Sequence, residues 1–257
     1  MVEGIDIFRE HLAERSDSMI LIGGAACDDW FARQGLPFRA TRDLDIVLVA
    51  EALDQDCVRD IRHFVDAGRY EVRERSVGVP ILYRFSKPAT AGFPAMLEFF
   101  SRLPEEIDLG DDQTIVPITL DGESHSLSAI LLDDDYYQML LSNRETLDGV
   151  SFATAAALIP LKAHAWLDLT RRDAAGEKVD SKHLKKHRAD VFRLAATLPG
   201  NESAQLAERI RDDLRNFLNE FPSGSEDWPA ILASIKPSVG TLRPEALREA
   251  VELFFQL

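Results

Sequence analysis

The spacing of apolar positions changes along this chain, and the changes predict where strands give way to helices. Gly4 to Glu14 has helical spacing, 19 to 22 is a short continuous apolar run, 25 to 34 returns to helical spacing, and 43 to 49 is again strand-like. Leu53 to Ala67 predicts another amphipathic helix. Runs near 70 to 76, 80 to 86, 95 to 101, 114 to 120 and 125 to 132 alternate or are apolar enough to be strands, with turns at Lys87 to Gly92, Gly110 to Gln113 and Asp121-Gly122. Asp133 to Asn143 predicts a capped helix, and beyond about 133 the pattern is almost wholly helical. Helices are expected at Ala155 to Leu169, Ser181 to Leu198 with the serine as N-cap, Ala204 to Phe221, Trp228 to Ser234 and Pro244 to Phe255. The fold class this predicts is α+β: a mixed β-sheet with flanking helices over 1–132, followed by a helical C-terminal region over 133–257.

The most informative stretch lies between the first two strands. Gly23-Gly24 follows the apolar Ile20-Leu21-Ile22, so backbone can approach a ligand there with no Cβ in the way, and N–H groups at the start of the next helix suit an anion. The second strand carries Asp43 and Asp45, two residues apart and so on one face, with Cα atoms about 6.5 Å apart. Two carboxylates so close repel unless a proton or cation lies between them, and hard oxygen donors suit Mg²⁺ or Mn²⁺. Acidic-any-acidic is common by chance in a chain this acidic, and a Gly-Gly turn alone is equally weak. Their order and their apolar flanks give the combination its weight.

Gly23-Gly24 followed by Arg39-Ala40-Thr41-Arg42-Asp43-Leu44-Asp45-Ile46 resembles the signature of the polymerase-beta type nucleotidyltransferase superfamily, in particular its AbiEii-like abortive-infection and toxin branch. The resemblance implies that Asp43 and Asp45 hold divalent metal, that the glycines contact the phosphates of a nucleoside triphosphate, and that a third carboxylate comes from a later strand. Glu98, the lone acid in Ala95 to Phe100, is the candidate, the alternative being a solvated strand face. Arg39, Thr41 and Arg42 flank the metal strand, Thr41 bonding locally or to phosphate and Arg39 bracing the loop. The reaction implied is Mg²⁺- or Mn²⁺-assisted transfer of a nucleoside monophosphate to an acceptor hydroxyl.

Two further residues belong to this resemblance. Leu158 to Ala165, LIPLKAHA, is similar to the family's Leu-x-x-Leu-Lys-x-x-Ala stretch, which assigns Lys162 to nucleotide phosphate; its alternative is a stem over the core with its charge in water. Pro160, two residues earlier, either starts or kinks that helix. Asp190 lies in a Lys-x-x-x-Asp context and either orients Lys162 or Arg193 or forms a surface pair with Arg193. Lys182, Lys185 and Lys186 supply a basic rim, and His183 with His187 reads as a polar face, since zinc would need a third ligand.

The net charge of −15 argues against a generic binder of nucleic acid. Between Arg171 and Arg193, however, eight Lys or Arg face four Asp or Glu, a local +4 that leaves −19 for the remainder. The basic helix and the AbiEii-like motif favour an RNA end such as a tRNA acceptor stem and imply an antitoxin protein as partner. The acidic balance favours a small cationic, aminoglycoside-like acceptor instead, and a catalytically silent nucleotide-binding or interaction module is the remaining alternative. Cys27 and Cys57 show no metal spacing and read as packed thiols. No apolar run reaches the length of a membrane span and Met1 to Ser18 lacks a signal-peptide core, so the expectation is a cytoplasmic protein with no membrane partner.

Overall fold

A computed structural model describes residues 2–76, 81–101, 116–118, 131 and 133–257. Two compact units emerge: Met1–Asp29, Ala40–Leu132 and Arg144–Ala153 form the first, and Trp30–Arg39, Asp133–Asn143 and Thr154–Leu257 the second. The architecture is a mixed sheet with flanking helices and a helical C-terminal region. Among the described residues no helix is long and apolar enough to cross a membrane.

The first unit holds the sheet. Its strands among the described residues are β1 (Met19–Ile22), β2 (Asp43–Leu48), β3 (Tyr70–Ser76), β4 (Ile81–Pro88), β5 (Met96–Ser101), β6 (Val116–Ile118), β7 (Arg144–Leu147) and β8 (Val150–Ala153). They lie in the order β6-β3-β4-β5-β2-β1-β8-β7. β1 runs antiparallel to β2 and parallel to β8, and β2 runs parallel to β5. Every residue of β1 is buried, which is why it reads as a continuous apolar run and not as an alternation. Two helices, α1 (Ile5–Leu12) and α3 (Gln55–Gly68), meet through Phe8 and Phe64, with ring centroids 5.5 Å apart. Phe64 continues to Phe93 at 5.2 Å, and Phe85 meets Phe99 edge-on across β4 and β5 at 6.1 Å. Asp54 caps α3, its side chain accepting from Cys57 N at 2.7 Å. The helix α2 (Gly23–Arg33) follows β1 without a linker.

β7 and β8 are a hairpin that the almost wholly helical reading of the chain beyond about 133 did not include. Asp148 and Gly149 both take positive φ, 49° and 77°, the two-residue turn whose twist matches an antiparallel pair. The Asp-Gly dipeptide was the available signal, and the exposed, short β7 hid the alternation around it. A Cβ on Gly149 would come 2.7 Å from Ala13 Cβ, so glycine is required on steric grounds as well. Ser151 Oγ donates to Ser16 O at 2.7 Å, tying β8 to the segment before β1. Of the strand expected near 125 to 132 only Leu131 is described, the turns at 110–113 and 121–122 lie outside the described residues, and of 114 to 120 only β6 is described.

The second unit is helical: α4 (Asp134–Ser142), α5 (Ala155–Ala174), α6 (Ser181–Ala195), α7 (Glu208–Glu220), α8 (Trp228–Val239) and α9 (Pro244–Phe255). Asp133 caps α4 by accepting from Asp135 N and Tyr136 N at 3.0 and 3.2 Å. The cap of α6 is Asp180, which accepts from Lys182 N at 2.9 Å; Ser181, expected in that role, is the first helical residue. Pro160 neither starts α5 nor ends it but sits in the second turn, where it denies Ala156 O its helical donor. The centre of this unit is aromatic. Phe192 lies 4.6 Å from Trp228, 5.6 Å from Phe217 and 5.7 Å from Phe221, and Trp166 meets Phe217 and Phe221 at 5.5 and 5.0 Å. Each such side chain contributes about 1.5–3 kcal/mol on burial, so this cluster outweighs any single surface ion pair in holding the helices together.

Candidate active site

In the first unit, backbone register gathers the acidic candidates. Asp45 pairs with Ile22 of β1 on one side and with Glu98 of β5 on the other, and Glu98 pairs in turn with Arg84 of β4. Residues in register share a face, so Asp45, Glu98 and Arg84 form one row across three strands, with Asp43 on the same face of β2. Asp43 and Asp45 are partly exposed and Glu98 is buried.

Glu98 is no misplaced charge. Its Oε1 accepts from Arg84 Nε at 2.8 Å and lies 2.6 Å from Arg84 Nη2 in an ion pair, with both side chains largely withdrawn from water. Arg84 was not singled out in the sequence. An arginine between Tyr83 and Phe85 is a local mark of a cation on an apolar strand, but nothing local says that this strand pairs with that of Glu98 in this register.

The glycines are explained by what they make room for. Gly23 takes φ +62°, and a Cβ there would collide with the Asp45 carboxylate. Asp45 therefore lies against the first residue of α2, where a helix N-terminus favours negative charge. A Cβ on Gly24 would come 2.6 Å from Thr41 Oγ1, so the second glycine admits the threonine hydroxyl. Arg42 points its side chain outward, while its backbone oxygen accepts from Ala95 N at 3.1 Å and aligns the entrance of β2 with β5.

Hard carboxylate oxygens beside a glycine cradle suit one divalent cation at Asp43 and Asp45. Glu98 fits that donor set less well, because its carboxylate is bonded to Arg84. Among the described residues no three His, Cys, Asp or Glu side chains are grouped so as to hold a metal ion.

The remaining candidates, Arg39, Lys162 and Asp190, come together in the second unit. Asp190 is fully buried on α6. Lys162 Nζ of α5 is 3.2 Å from its Oδ2, and Arg39 donates from Nη2 to Oδ2 at 2.8 Å and from Nε to Oδ1 at 3.2 Å. Arg193, one turn along α6, donates to Oδ1 and also to Ser234 O, the latter at 2.9 Å. Burial would push the Asp190 carboxyl up, but Lys162, Arg39 and Arg193 more than reverse this and hold it well below the usual carboxylate range. The surface pair with Arg193 is thus a buried one, and the lysine stem ends on an anion and not in water. Phe38 lies near both guanidinium groups, its ring centroid 5.1 Å from Arg39 Cζ and 5.3 Å from Arg193 Cζ. Lys182 and Lys185 are exposed, Lys186 is partly so, and His187 is buried.

No family model matches the chain, and neither does any curated protein.

Proposed function

We propose that this protein is a metal-dependent nucleotidyltransferase that moves a nucleoside monophosphate from a nucleoside triphosphate to an acceptor hydroxyl, with an RNA end as the acceptor. The observation that carries this reading is the pair Asp43 and Asp45 on one strand face, with Asp45 lying against the glycine that opens α2. A divalent cation there would supply charge neutralisation for the triphosphate and acidify the attacking hydroxyl. The chain's own contribution is positional. Gly23 makes room for the Asp45 carboxylate, Gly24 admits the Thr41 hydroxyl, and β2 fixes the two carboxylates at strand spacing. In the second unit Asp190 holds the side chains of Lys162 and Arg39, the other two residues that the resemblance assigns to nucleotide.

Titrating each nucleoside triphosphate with Mg²⁺ into wild type and into Asp43→Ala with Asp45→Ala tests this calorimetrically. Binding that needs both the metal and the aspartates is expected, and labelled nucleotide should then pass to an RNA acceptor in wild type only. Metal-independent binding, or transfer by the double variant, would sink the assignment.

The Arg84 pairing of Glu98 favours a second reading, a nucleotide-binding module without turnover. It expects the same metal-dependent binding with no product from any acceptor, RNA or aminoglycoside-like.

A further inference from the structure

We infer that Lys178, Lys182 and Lys185, on the first turns of α6 and just before it, are the face on which this protein holds the phosphate backbone of an RNA strand without reading its sequence; this rests on the RNA acceptor proposed above. The chain carries 44 Asp and Glu against 29 Lys and Arg, so a cation left without a carboxylate goes against its composition. On either side of this stretch the exposed and half-buried arginines are neutralised. Arg171 pairs with Asp168, Arg172 with Glu177 and Arg188 with Asp227. Between them Lys178, Lys182 and Lys185 are exposed, and none of the three meets a carboxylate among the described residues. The acids of the stretch are engaged elsewhere, Glu177 by Arg172 and Asp180 by the backbone N–H of Lys182, which it caps at 2.9 Å.

The spacing presents these charges together. Lys182 and Lys185 stand three residues apart on a helix and so are neighbours on one face, separated by a rise of about 4.5 Å. Lys178 enters the same end of α6 from the segment before its cap. A nucleic-acid strand repeats its charge along its length, so several closely set ammonium groups can meet it at once. Lysine binds phosphate as a point charge and lacks the planar fork by which arginine reads guanine, which makes these contacts positional and blind to sequence. Salt at physiological strength confines electrostatics to about 8 Å, so these lysines act on a docked strand while the acidic remainder of the chain is largely screened.

The test follows a labelled single-stranded RNA by fluorescence anisotropy with the full chain, between about 50 and 200 mM salt. Each phosphate neutralised on a single strand contributes about 0.7 to the slope of log affinity against log salt, so Lys178→Gln with Lys182→Gln and Lys185→Gln should lower that slope by about 2. Affinity at the lowest salt should fall tenfold or more. A control of equal net charge, Lys87→Gln with Lys236→Gln and Arg243→Gln, neutralises three exposed cations elsewhere and should keep the wild-type slope. Scrambling the RNA sequence should change affinity less than threefold, and polyglutamate at equal charge should not displace it. An unchanged slope in the lysine triple variant, an equal loss in the control, or ready displacement by polyglutamate would each overturn the inference. Nucleotide transfer to RNA by that same triple variant, with its slope unchanged, would remove the lysine face and leave the nucleotidyl-transfer reading standing. No RNA binding by wild type would also overturn the inference, while metal-dependent nucleotide binding, measured without RNA, decides separately on the parent reading.

Discussion

Replacing Asp190 with asparagine should be the most damaging single-atom change in the helical unit. The carboxylate is fully buried and receives Lys162, Arg39 and Arg193, so the substitution leaves three cations around a neutral amide. Charge-assisted hydrogen bonds contribute about 1.5–3 kcal/mol each, but they share one acceptor group and do not add. Removing one partner from a buried ionic cluster costs about 3–5 kcal/mol, and that is the loss expected here. At 1.4 kcal/mol per factor of ten, the unfolding constant rises by about two to three and a half orders of magnitude. The assay is urea unfolding followed by tryptophan fluorescence, because all three tryptophans, Trp30, Trp166 and Trp228, belong to this unit. The difference should also depend on pH. Because the folded carboxyl is held below its unfolded value of about 3.9, its contribution is fully present above that pH and is lost as pH falls through the folded value. Wild type should therefore converge on the variant only in strong acid. A second substitution, Lys162→Met, should cost less in the asparagine background than in wild type. A loss below about 1 kcal/mol for Asp190→Asn at pH 7, or strict additivity with Lys162→Met, would refute the reasoning.

Other expectations follow from the first unit. Gly23→Ala forces a side chain into left-handed backbone and against Asp45, and should cost about 1–3 kcal/mol by urea titration and weaken metal binding more than Gly24→Ala does; unchanged metal affinity would contradict the cradle. Gly149→Ala should cost about 1–3 kcal/mol for similar backbone reasons and because its Cβ meets Ala13, whereas Gly35→Ala, at similar φ with open space around it, should cost less. The Cys57 thiol is pushed up to about 11 by burial, so at pH 8 only about one part in a thousand is thiolate. Iodoacetamide should leave Cys57 unmodified in native protein and label it in urea; rapid native labelling would show that α3 opens.

What could be read from the sequence was whatever depended on near neighbours. The apolar run at Met19 to Ile22, the alternation from Tyr70 to Ser76 and the Pro-initiated helix from Pro244 to Phe255 match the elements found. Local pattern also put Asp43 and Asp45 on one face. Pairing between distant strands carries no such local mark. Nothing near Glu98 announces that Arg84 lies opposite, and nothing near Arg39 announces Asp190, because those meetings depend on sheet register and helix packing. The hairpin at Arg144 to Ala153 failed for a different reason. Its strands are four residues each, too short for alternation to stand out between two helices, and only Asp148-Gly149 marked the turn.

The placement of β8 beside β1 has a consequence for how the protein is made. Ile20 and Leu21 take their second hydrogen-bonded neighbour from Ser151 and Phe152, about 130 residues later in the chain. As the polypeptide leaves the ribosome, Met19 to Ile22 remains an open apolar edge while more than a hundred further residues are synthesised, among them all of α4. The last stretch of that wait is set by translation and not by the speed of folding. A product truncated at 132 would keep this edge exposed permanently, so its insolubility would say nothing against the residues it contains.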